Sequence, residues 1–246
     1  MEHTKADKSF EALVASLGDP GALREYKRRY DQYKPSLLPR LLGTFLVACG
    51  NLVYGREPSY LKFRAVEVIA RVPYHSWESA AYTLLTLFYT REKKALELSH
   101  VTRFSRLAQD NETMHVVVIS KLAREEERAG VVRHTLIPMF FAFFYFWWSY
   151  FLYLINPRYS FELNYLFEQH AFDSYSRFLE ARGDELAGKP MHSAFLDWYG
   201  RHPRTQYDFF LSVRNDEIIH RNSSIEEIER RRKNRSQEKG ATSPAV

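Results

Sequence analysis

The feature that most restricts the fold is a pattern of glutamates and histidines that occurs twice along the chain. Each copy is a lone Glu followed, after 45 residues in one case and 49 in the other, by a Glu-x-x-His step. The two sets are Glu67, Glu112 and His115, and Glu168, Glu217 and His220. Positions i and i+3 of an α-helix lie on one face, so each Glu-x-x-His step can present a carboxylate and an imidazole to the same ion.

A third Glu-x-x-His step, Glu97 with His100, shows that this motif is weak by itself. It lacks a lone glutamate at the matching spacing, unless Glu57 in the polar REPSY segment is counted, and we interpret it as accidental. The doubled order of the other six residues is more specific. A Glu from each of two helices and a Glu-x-x-His step from each of two others is the ligand set of carboxylate di-iron bundles.

The residue types of this pattern suit a buried pair of iron ions. Two ferrous ions carry four positive charges and four carboxylates carry four negative charges, so the reduced centre is nearly neutral and can lie between helices. Oxygen ligands also stabilise ferric iron. Cys49 is the single cysteine, which excludes an intramolecular disulfide framework and a thiolate-rich metal site. Any one of the six alone would be read as a surface Glu or a core His.

The distribution of apolar residues predicts one all-α domain over residues 1–228. The chain has only ten Gly and ten Pro, and long stretches separate the turn signals. Residues 1–34 form a charged, weakly amphipathic arm. Four later segments combine apolar positions at helical spacing with charges, as the helices of a bundle do: 58–90, 93–128, 158–182 and 205–232.

Two further segments are strongly apolar, over about residues 36–54 and 133–155. In the run MFFAFFYFWWSYFLYLI, residues 139–155, eleven of seventeen residues are aromatic. Tyr and Trp favour the membrane interface, so the segment is read as a helix lying in one leaflet, a buried core helix or a true span. The candidate ligands lie on both sides of it in sequence, and a shared site favours the leaflet because a single crossing would separate them.

The two ends of the chain suggest its location. MEHTKADKSFEALV lacks the pattern of a signal peptide, so a site on the cytoplasmic side of a membrane is expected. The net charge is +5, and basic residues concentrate in the last part of the chain. Residues 229–246 are expected to be a basic, disordered tail, which is either a solvated helix end or a segment attracted to anionic lipid.

Several residues near the pattern are candidates to assist the ligands. Tyr175 follows Glu168 by seven residues, about two helical turns, so its phenol can lie near the metals and donate an electron and a proton, or simply pack there. Candidates for orienting the ligands by hydrogen bonds are Asn111, Asp208, Arg214 and Asp216.

Four segments of the chain resemble those of the alternative oxidase family. They are VEVIARVPY, NETMH, EQHAFDSY and RNDEIIH, in the family's order, with LINPR ahead of the third. The resemblance covers about residues 36–225. EVIARVPY and E-x-HA-x-x-x-Y are similar to the plastid terminal oxidase branch, whereas mitochondrial members have three successive Glu where this chain has Glu168, Gln169 and His170.

The resemblance implies a ferritin-like four-helix di-iron bundle with two interfacial membrane helices. It implies a cyanide-insensitive quinol:oxygen oxidoreductase that uses two iron ions, reduces O2 to water and pumps no protons. The six residues of the doubled pattern would surround the irons, the histidines less firmly than the glutamates, and Tyr175 would be the redox-active tyrosine. A homodimer bound to one leaflet is implied, with quinol and O2 as substrates and no nucleic acid partner.

The family's quinol pocket includes an Arg five residues before the first ligand Glu, where this chain has Lys62. Arg64 and Ser174 are the other candidate quinol contacts. A Lys does not replace an Arg at a planar, bidentate site, so this part of the resemblance departs from the family pattern. The sequence does not distinguish plastoquinol from ubiquinol.

Two other functions fit parts of the sequence. A di-iron monooxygenase or hydroxylase would use the same bundle to insert oxygen into a lipid-like substrate. A metal-free helical scaffold at the membrane would account for the apolar segments and the basic end of the chain. Iron content and the fate of the oxygen atoms distinguish these alternatives from the oxidase.

Overall fold

The computed structural model describes residues 7–126 and 128–241, and these form ten α-helices without a β-strand. A π-helical turn, Val132–Leu136, leads into the seventh helix. In chain order the helices are α1 (Lys8–Ser16), α2 (Pro20–Arg28), α3 (Leu37–Tyr54), α4 (Tyr60–Ala70), α5 (Val72–Phe88), α6 (Glu92–Glu126), α7 (Ile137–Ile155), α8 (Pro157–Ala187), α9 (Ala194–Tyr199) and α10 (Gln206–Ala241). The all-α prediction is confirmed.

A bundle of α4 with α5, α6, α8 and α10 forms the body of the molecule, and its longest contact runs between α8 and α10. At one end of the bundle, aromatic side chains such as Tyr175, Phe178 and Phe210 fill the core. At the other end, Trp77 and Phe161 belong to a second buried cluster. The polar residues of the doubled pattern lie within this apolar frame, which excludes water from them.

The predicted helix over residues 58–90 is two helices, α4 and α5, that meet at Arg71. The break follows from Pro73, because proline has no backbone N–H to donate to the carbonyl of Ile69 and its ring clashes with that carbonyl in a continuous helix. The carbonyl of Ile69 accepts a hydrogen bond from the N–H of Arg71 instead. The chain therefore changes direction directly before Tyr74, a buried residue of the site described below.

The two apolar segments are helices close to the expected bounds, and most of their apolar side chains are exposed or only half-buried. Both are long and apolar enough to cross a membrane, yet only 11% of the α3 stretch and 22% of the stretch that includes α7 is buried. The interpretation as a buried core helix is therefore wrong. Gly43 of α3 packs on Leu166 of α8, and Ser149 of α7 accepts a hydrogen bond from Ser76 of α5 (2.7 Å).

The N-terminal arm is part of the body, because it folds into α1 and α2. Asp7 and Asp19 accept hydrogen bonds from the first N–H groups of the two helices, as N-cap residues do. Val14, Leu17 and Tyr26 then pack against Phe172, Ile218 and Ile219 of the bundle. Helices of nine residues are not stable alone in water, so it is this packing that forms them.

Helix α10 continues through residue 229, where the tail was expected to begin, and is described as far as Ala241. Arg231 is buried, with Nη1 3.0 Å from Glu97 Oε1 and Nη2 donating to the hydroxyl of Tyr153. His100 Nδ1 lies 2.8 Å from Glu227 Oε1. The third Glu-x-x-His step is thus part of an ion cluster that holds the end of α10. Residues 242–246 of the expected tail lie outside the described residues.

Candidate metal centre

Four helices bring the six residues of the doubled pattern to one place. Glu67 comes from α4, Glu112 and His115 from α6, Glu168 from α8, and Glu217 and His220 from α10. They form two groups, in each of which the ligand atoms lie within 4.8 Å of one another. The groups are Glu67, Glu112, His115 and Glu217, and Glu112, Glu168, Glu217 and His220. Glu112 and Glu217 belong to both groups, so their carboxylates can bridge two ions.

Distances around the two histidines define two candidate metal positions, one in each group of ligand atoms. His115 Nδ1 lies 3.5 Å from Glu67 Oε2 and 3.4 Å from a carboxylate oxygen of both Glu112 and Glu217. His220 Nδ1 lies 2.8 Å from Glu112 Oε1 without the geometry of a hydrogen bond. Each of the six residues is at most 2% exposed. A cation between these atoms would replace close contacts among polar groups by ligand bonds.

The hydrogen bonding of the cluster fits bound cations. Eight buried polar atoms of the cluster have no hydrogen-bond partner: Glu67 Oε2, both carboxylate oxygens of Glu112 and of Glu217, His115 Nδ1, and both ring nitrogens of His220. Buried polar groups in proteins are nearly always satisfied, and an unsatisfied one costs about 1–3 kcal/mol. Carboxylate and imidazole donors without thiolates select ions such as iron, manganese or zinc rather than thiophilic ones.

The charges of the cluster are balanced by protons in the absence of ions. Burial raises the pKa of Glu67 to about 7. Burial and the neighbouring carboxylates, Glu112 first, raise the pKa of Glu217 well above its ordinary value. Burial alone would lower the pKa of His115, but Glu112 and other carboxylates raise it well above the ordinary value. The cluster therefore holds protons that a cation would displace.

Each lone glutamate accepts a hydrogen bond from a buried phenol. Tyr175 donates to Glu67 Oε1 (2.5 Å), and Tyr74 donates to Glu168 Oε1 (2.6 Å). Asn164 also donates to Glu168 Oε1 (3.0 Å). Sequence reasoning missed Tyr74, although a signal was present: Tyr74 follows Glu67 by seven residues, just as Tyr175 follows Glu168. Each phenol reaches the lone glutamate of the other half of the pattern.

Asp216 connects the centre to a buried arginine. Its Oδ2 lies 2.8 Å from His115 Nε2 and accepts a hydrogen bond from Asn111 Nδ2 (3.2 Å). The guanidinium of Arg201 donates to both Asp216 oxygens (2.5 and 3.0 Å). Although burial raises the pKa of Asp216, Arg201 and His115 lower it to about 2. Asn111 and Asp216 thus lie where they can orient His115, and Arg201, which the sequence did not single out, holds Asp216.

Asp208 and Arg214 have other roles than those expected. Asp208 Oδ2 accepts from the N–H of Thr205 (3.0 Å) and its own N–H donates to Thr205 Oγ1 (3.1 Å), which is a capping box at the start of α10. Asp208 precedes Glu217 by nine residues, about two and a half turns, so the two side chains project from opposite faces of the helix. The guanidinium of Arg214 donates to Asn215 Oδ1 (2.8 Å).

Lys62, expected as a quinol contact, is engaged by the protein itself. Its ammonium group donates to Asn51 Oδ1 (3.0 Å) and to the carbonyls of Gly55 (2.8 Å) and Arg56 (3.0 Å). An ammonium group has three N–H donors, and these three acceptors use all of them. Lys62 therefore fastens the end of α3 to the start of α4.

Arg64 and Ser174, the other expected quinol contacts, lie on α4 and α8. Arg64 Nη2 donates to Thr135 Oγ1 in the π-helical turn (3.3 Å). Ser174 is buried and donates to the carbonyl of His170 (2.8 Å). Ser174 is the residue directly before Tyr175, and Arg64 is three residues before Glu67, so both stand close in sequence to the centre.

Comparisons with known proteins agree with the geometry. The family model described as Alternative oxidase matches residues 49–227, a range that holds all six candidate ligands. Ubiquinol oxidase 4, chloroplastic/chromoplastic, of Arabidopsis thaliana is 26% identical over 185 residues, which are 67% of this chain and 50% of that protein. The chain thus spans about half the length of this curated relative. No solved structure matches the chain.

Proposed function

Because this chain belongs to the alternative oxidase family, we propose that it oxidises quinol and reduces O2 to water at two iron ions bound by the six clustered side chains. The observation that carries this proposal is the pair of four-residue groups that share Glu112 and Glu217. Two quinols yield four electrons and four protons, which are what one O2 needs to become two waters. When bound, the irons supply the passage of electrons from quinol to O2.

The residues of the chain would serve this reaction in three ways. The lone glutamates and the histidines would hold the ions, while Glu112 and Glu217 would bridge them. The buried aromatic frame would exclude water, and so would prevent the loss of partly reduced oxygen to side reactions. Tyr175 holds its proton toward Glu67 Oε1, which suits a phenol that gives a proton and an electron to the site.

We also propose that α3 and α7 lie in one leaflet on the cytoplasmic or equivalent face. Residues before and after α7 share the metal centre. Val14 of α1, which precedes α3, packs with Ile218 of α10, while Glu67 follows α3 in the same site. Neither apolar helix therefore separates the parts of the chain that flank it, and their exposed leucines and aromatic residues fit the acyl layer. A homodimer is expected and can be checked by light scattering in detergent.

The decisive experiment measures O2 uptake by membranes containing the protein, with cyanide present and with ubiquinol or plastoquinol analogues as donors. We expect rapid uptake by the wild type and loss of at least about 100-fold in Glu168→Gln. The matched control is Glu180→Gln, an exposed position on the same helix, which should retain wild-type activity. Equal uptake by Glu168→Gln and Glu180→Gln would overturn the assignment of Glu168.

The same preparation distinguishes an oxidase from an oxygenase. With isotopically labelled O2, the label should appear in water. Label in an organic product would replace the proposal by a monooxygenase reaction, and folded protein that binds no iron and consumes no O2 would support the metal-free scaffold.

Membrane binding is tested by flotation with lipid vesicles. Phe140 and Phe144 are exposed on one face of α7, with ring centroids 4.6 Å apart. Replacing both by Asp places charges in the acyl layer, and we expect loss of flotation. Leu107→Asp, on the exposed side of α6, is the control and should float as the wild type does.

A further inference from the structure

Helix α1 lies against the metal centre although it precedes the range of the family match, which begins at residue 49. The backbone carbonyl of Val14 accepts a hydrogen bond from Asn215 Nδ2 (2.9 Å). The ring of Phe10 stacks on the ring of His220, with centroids 5.9 Å apart and planes 25° apart. Helix α1 therefore contacts residues on both sides of Glu217 along α10.

An acidic residue of α1 also reaches the other histidine through a chain of charged hydrogen bonds. Glu11 accepts from Arg201 through both carboxylate oxygens (2.6 and 2.9 Å). Arg201, only 6% exposed, donates with its other N–H groups to Asp216. Asp216 in turn lies 2.8 Å from His115 Nε2.

The series of hydrogen bonds from Glu11 through Arg201 and Asp216 fixes the orientation of the His115 ring. A guanidinium is planar, and bidentate pairing with two carboxylates holds it in one plane. Arg201 held in this way fixes Asp216, whose oxygen accepts the Nε2–H of His115. Once a cation displaces the Nδ1 proton, Nδ1 would offer its lone pair on the side of Glu67, Glu112 and Glu217. A carboxylate behind an imidazole ligand is known to set both its tautomer and its direction.

We propose that α1 completes the metal centre and that Glu11 is a positioning residue, acting on His115 through Arg201 and Asp216. The inference rests on the proposed function only in that His115 binds a metal ion. It assigns a role to a segment that the family match does not include. Glu11 touches neither the ions nor the substrates, so its effect must appear in the ligand field and affinity of the bound metal.

The test uses Co²⁺ as a spectroscopic probe in the full-length, metal-free protein in detergent. Wild type, Glu11→Gln and Glu25→Gln are titrated in competition with a chelator, and the visible absorption of bound Co²⁺ is recorded. Glu25 is an exposed residue of α2, so Glu25→Gln makes the same change of charge in the same terminal segment. Thermal unfolding of each metal-free variant is measured alongside.

We expect Glu11→Gln to bind one of two Co²⁺ ions about tenfold more weakly, with altered absorption bands, and Glu25→Gln to match the wild type. Glu11→Asp, which keeps the carboxylate, should recover part of the affinity and the bands. If Glu11→Gln has the affinity and spectrum of Glu25→Gln, the inference is wrong, even if the variant unfolds at a lower temperature. Wild-type protein that binds fewer than two Co²⁺ ions would instead refute the proposed di-metal site.

Discussion

At the scale of single residues, the hydrogen bonds of the two phenols reveal an internal repeat that includes more than the ligands. Tyr74 and Tyr175 each follow a lone glutamate by seven residues, and each donates to the lone glutamate of the opposite half. The equal spacing is visible in the sequence. The contact of each phenol with the opposite half is not visible there, because it depends on how α4 and α5 lie relative to α8.

Removing the hydroxyl of Tyr74 should weaken metal binding by the group of ligands that includes Glu168 and His220. Tyr74→Phe keeps the ring that packs on Trp77 but leaves Glu168 with the amide of Asn164 as its donor. We expect iron or Co²⁺ affinity to fall about tenfold at one position. Chelator competition measures this, with Tyr165→Phe as the control, since Tyr165 also loses a hydrogen bond but to the Tyr30 carbonyl. Equal affinities of the two variants would contradict a role of Tyr74 at the centre.

Metal affinity should rise with pH. Burial raises the pKa of Glu67 to about 7, and carboxylates raise the pKa of His115 above its ordinary value. Both groups therefore hold protons below neutral pH in the metal-free protein, and an entering ion must displace them. We expect about a tenfold gain in affinity per pH unit for each proton displaced between pH 6 and 8.

Isothermal titration in two buffers of different ionisation enthalpy counts the protons released. A metal affinity that stays constant over this range, without proton release, would contradict the raised pKa values.

Sequence reasoning identified the six clustered residues because their order repeats, but it could not identify Arg201 or Asn164. These are single residues of ordinary type, and their partners are fixed by the tertiary structure. Asp208 was wrongly expected at the centre because closeness along a helix does not give direction, and nine residues turn the side chain to the opposite face.

At the scale of elements, periodicity predicted the long helices well and their interruptions less well. The signal for the break between α4 and α5 was present in Pro73, whereas α1 and α2 are short and charged, and only packing on α10 makes them helical. The continuation of α10 past residue 229 was hidden because its basic residues resemble a solvated tail until Arg231 is seen to be buried.

The contact between α3 and α8 depends on Gly43. A Cβ atom there would lie 3.1 Å from Leu166 Cδ1, which is tight, whereas a Cβ at Gly50 on the same helix meets nothing within 4 Å. Gly43→Leu should destabilise the protein by about 1–3 kcal/mol through overpacking. Gly50→Leu is the matched control, because both variants gain the same helix propensity.

Thermal unfolding in one detergent compares the two variants. Each kcal/mol of lost unfolding free energy should lower the midpoint temperature by about 2–4 °C. We expect Gly43→Leu to unfold below Gly50→Leu. The reverse order would show that α3 moves freely on α8 and that the close approach at Gly43 carries no stability.

At the scale of the whole molecule, the bundle surrounds a cluster of like charges at its centre. Such a cluster lowers stability unless cations or protons neutralise it. The architecture is therefore better suited to the metal-bound state than to the metal-free one. A bound metal ion would contribute to the stability of this fold as well as to its chemistry.

Glu217→Gln should separate these two contributions. Because the pKa of Glu217 is raised well above its ordinary value, the side chain is neutral in the metal-free protein, and a Gln reproduces that state. We expect unchanged or slightly higher stability without metal. Anaerobic Fe²⁺ at about 1,000 times its dissociation constant should add about 4 kcal/mol to the wild type and less than half of that to the variant.

Glu162→Gln is the contrasting change, since Glu162 is buried away from the centre and pairs with Arg158 and Tyr33. It should lower the stability of both forms equally. If Fe²⁺ stabilises Glu217→Gln as much as the wild type, the shared position of Glu217 between two ions is wrong.

The packing of α1 on α10 has a consequence for how the protein matures in the cell. Helix α1 is synthesised long before α10, which carries Glu217 and His220 and receives the ring of Phe10. A nascent chain that has reached only α8 presents carboxylates that still lack their bridging partner. Under the proposed function, iron would therefore bind only after translation of α10, and a chain stalled on the ribosome before that point would hold iron weakly and leave it open to solvent and oxygen.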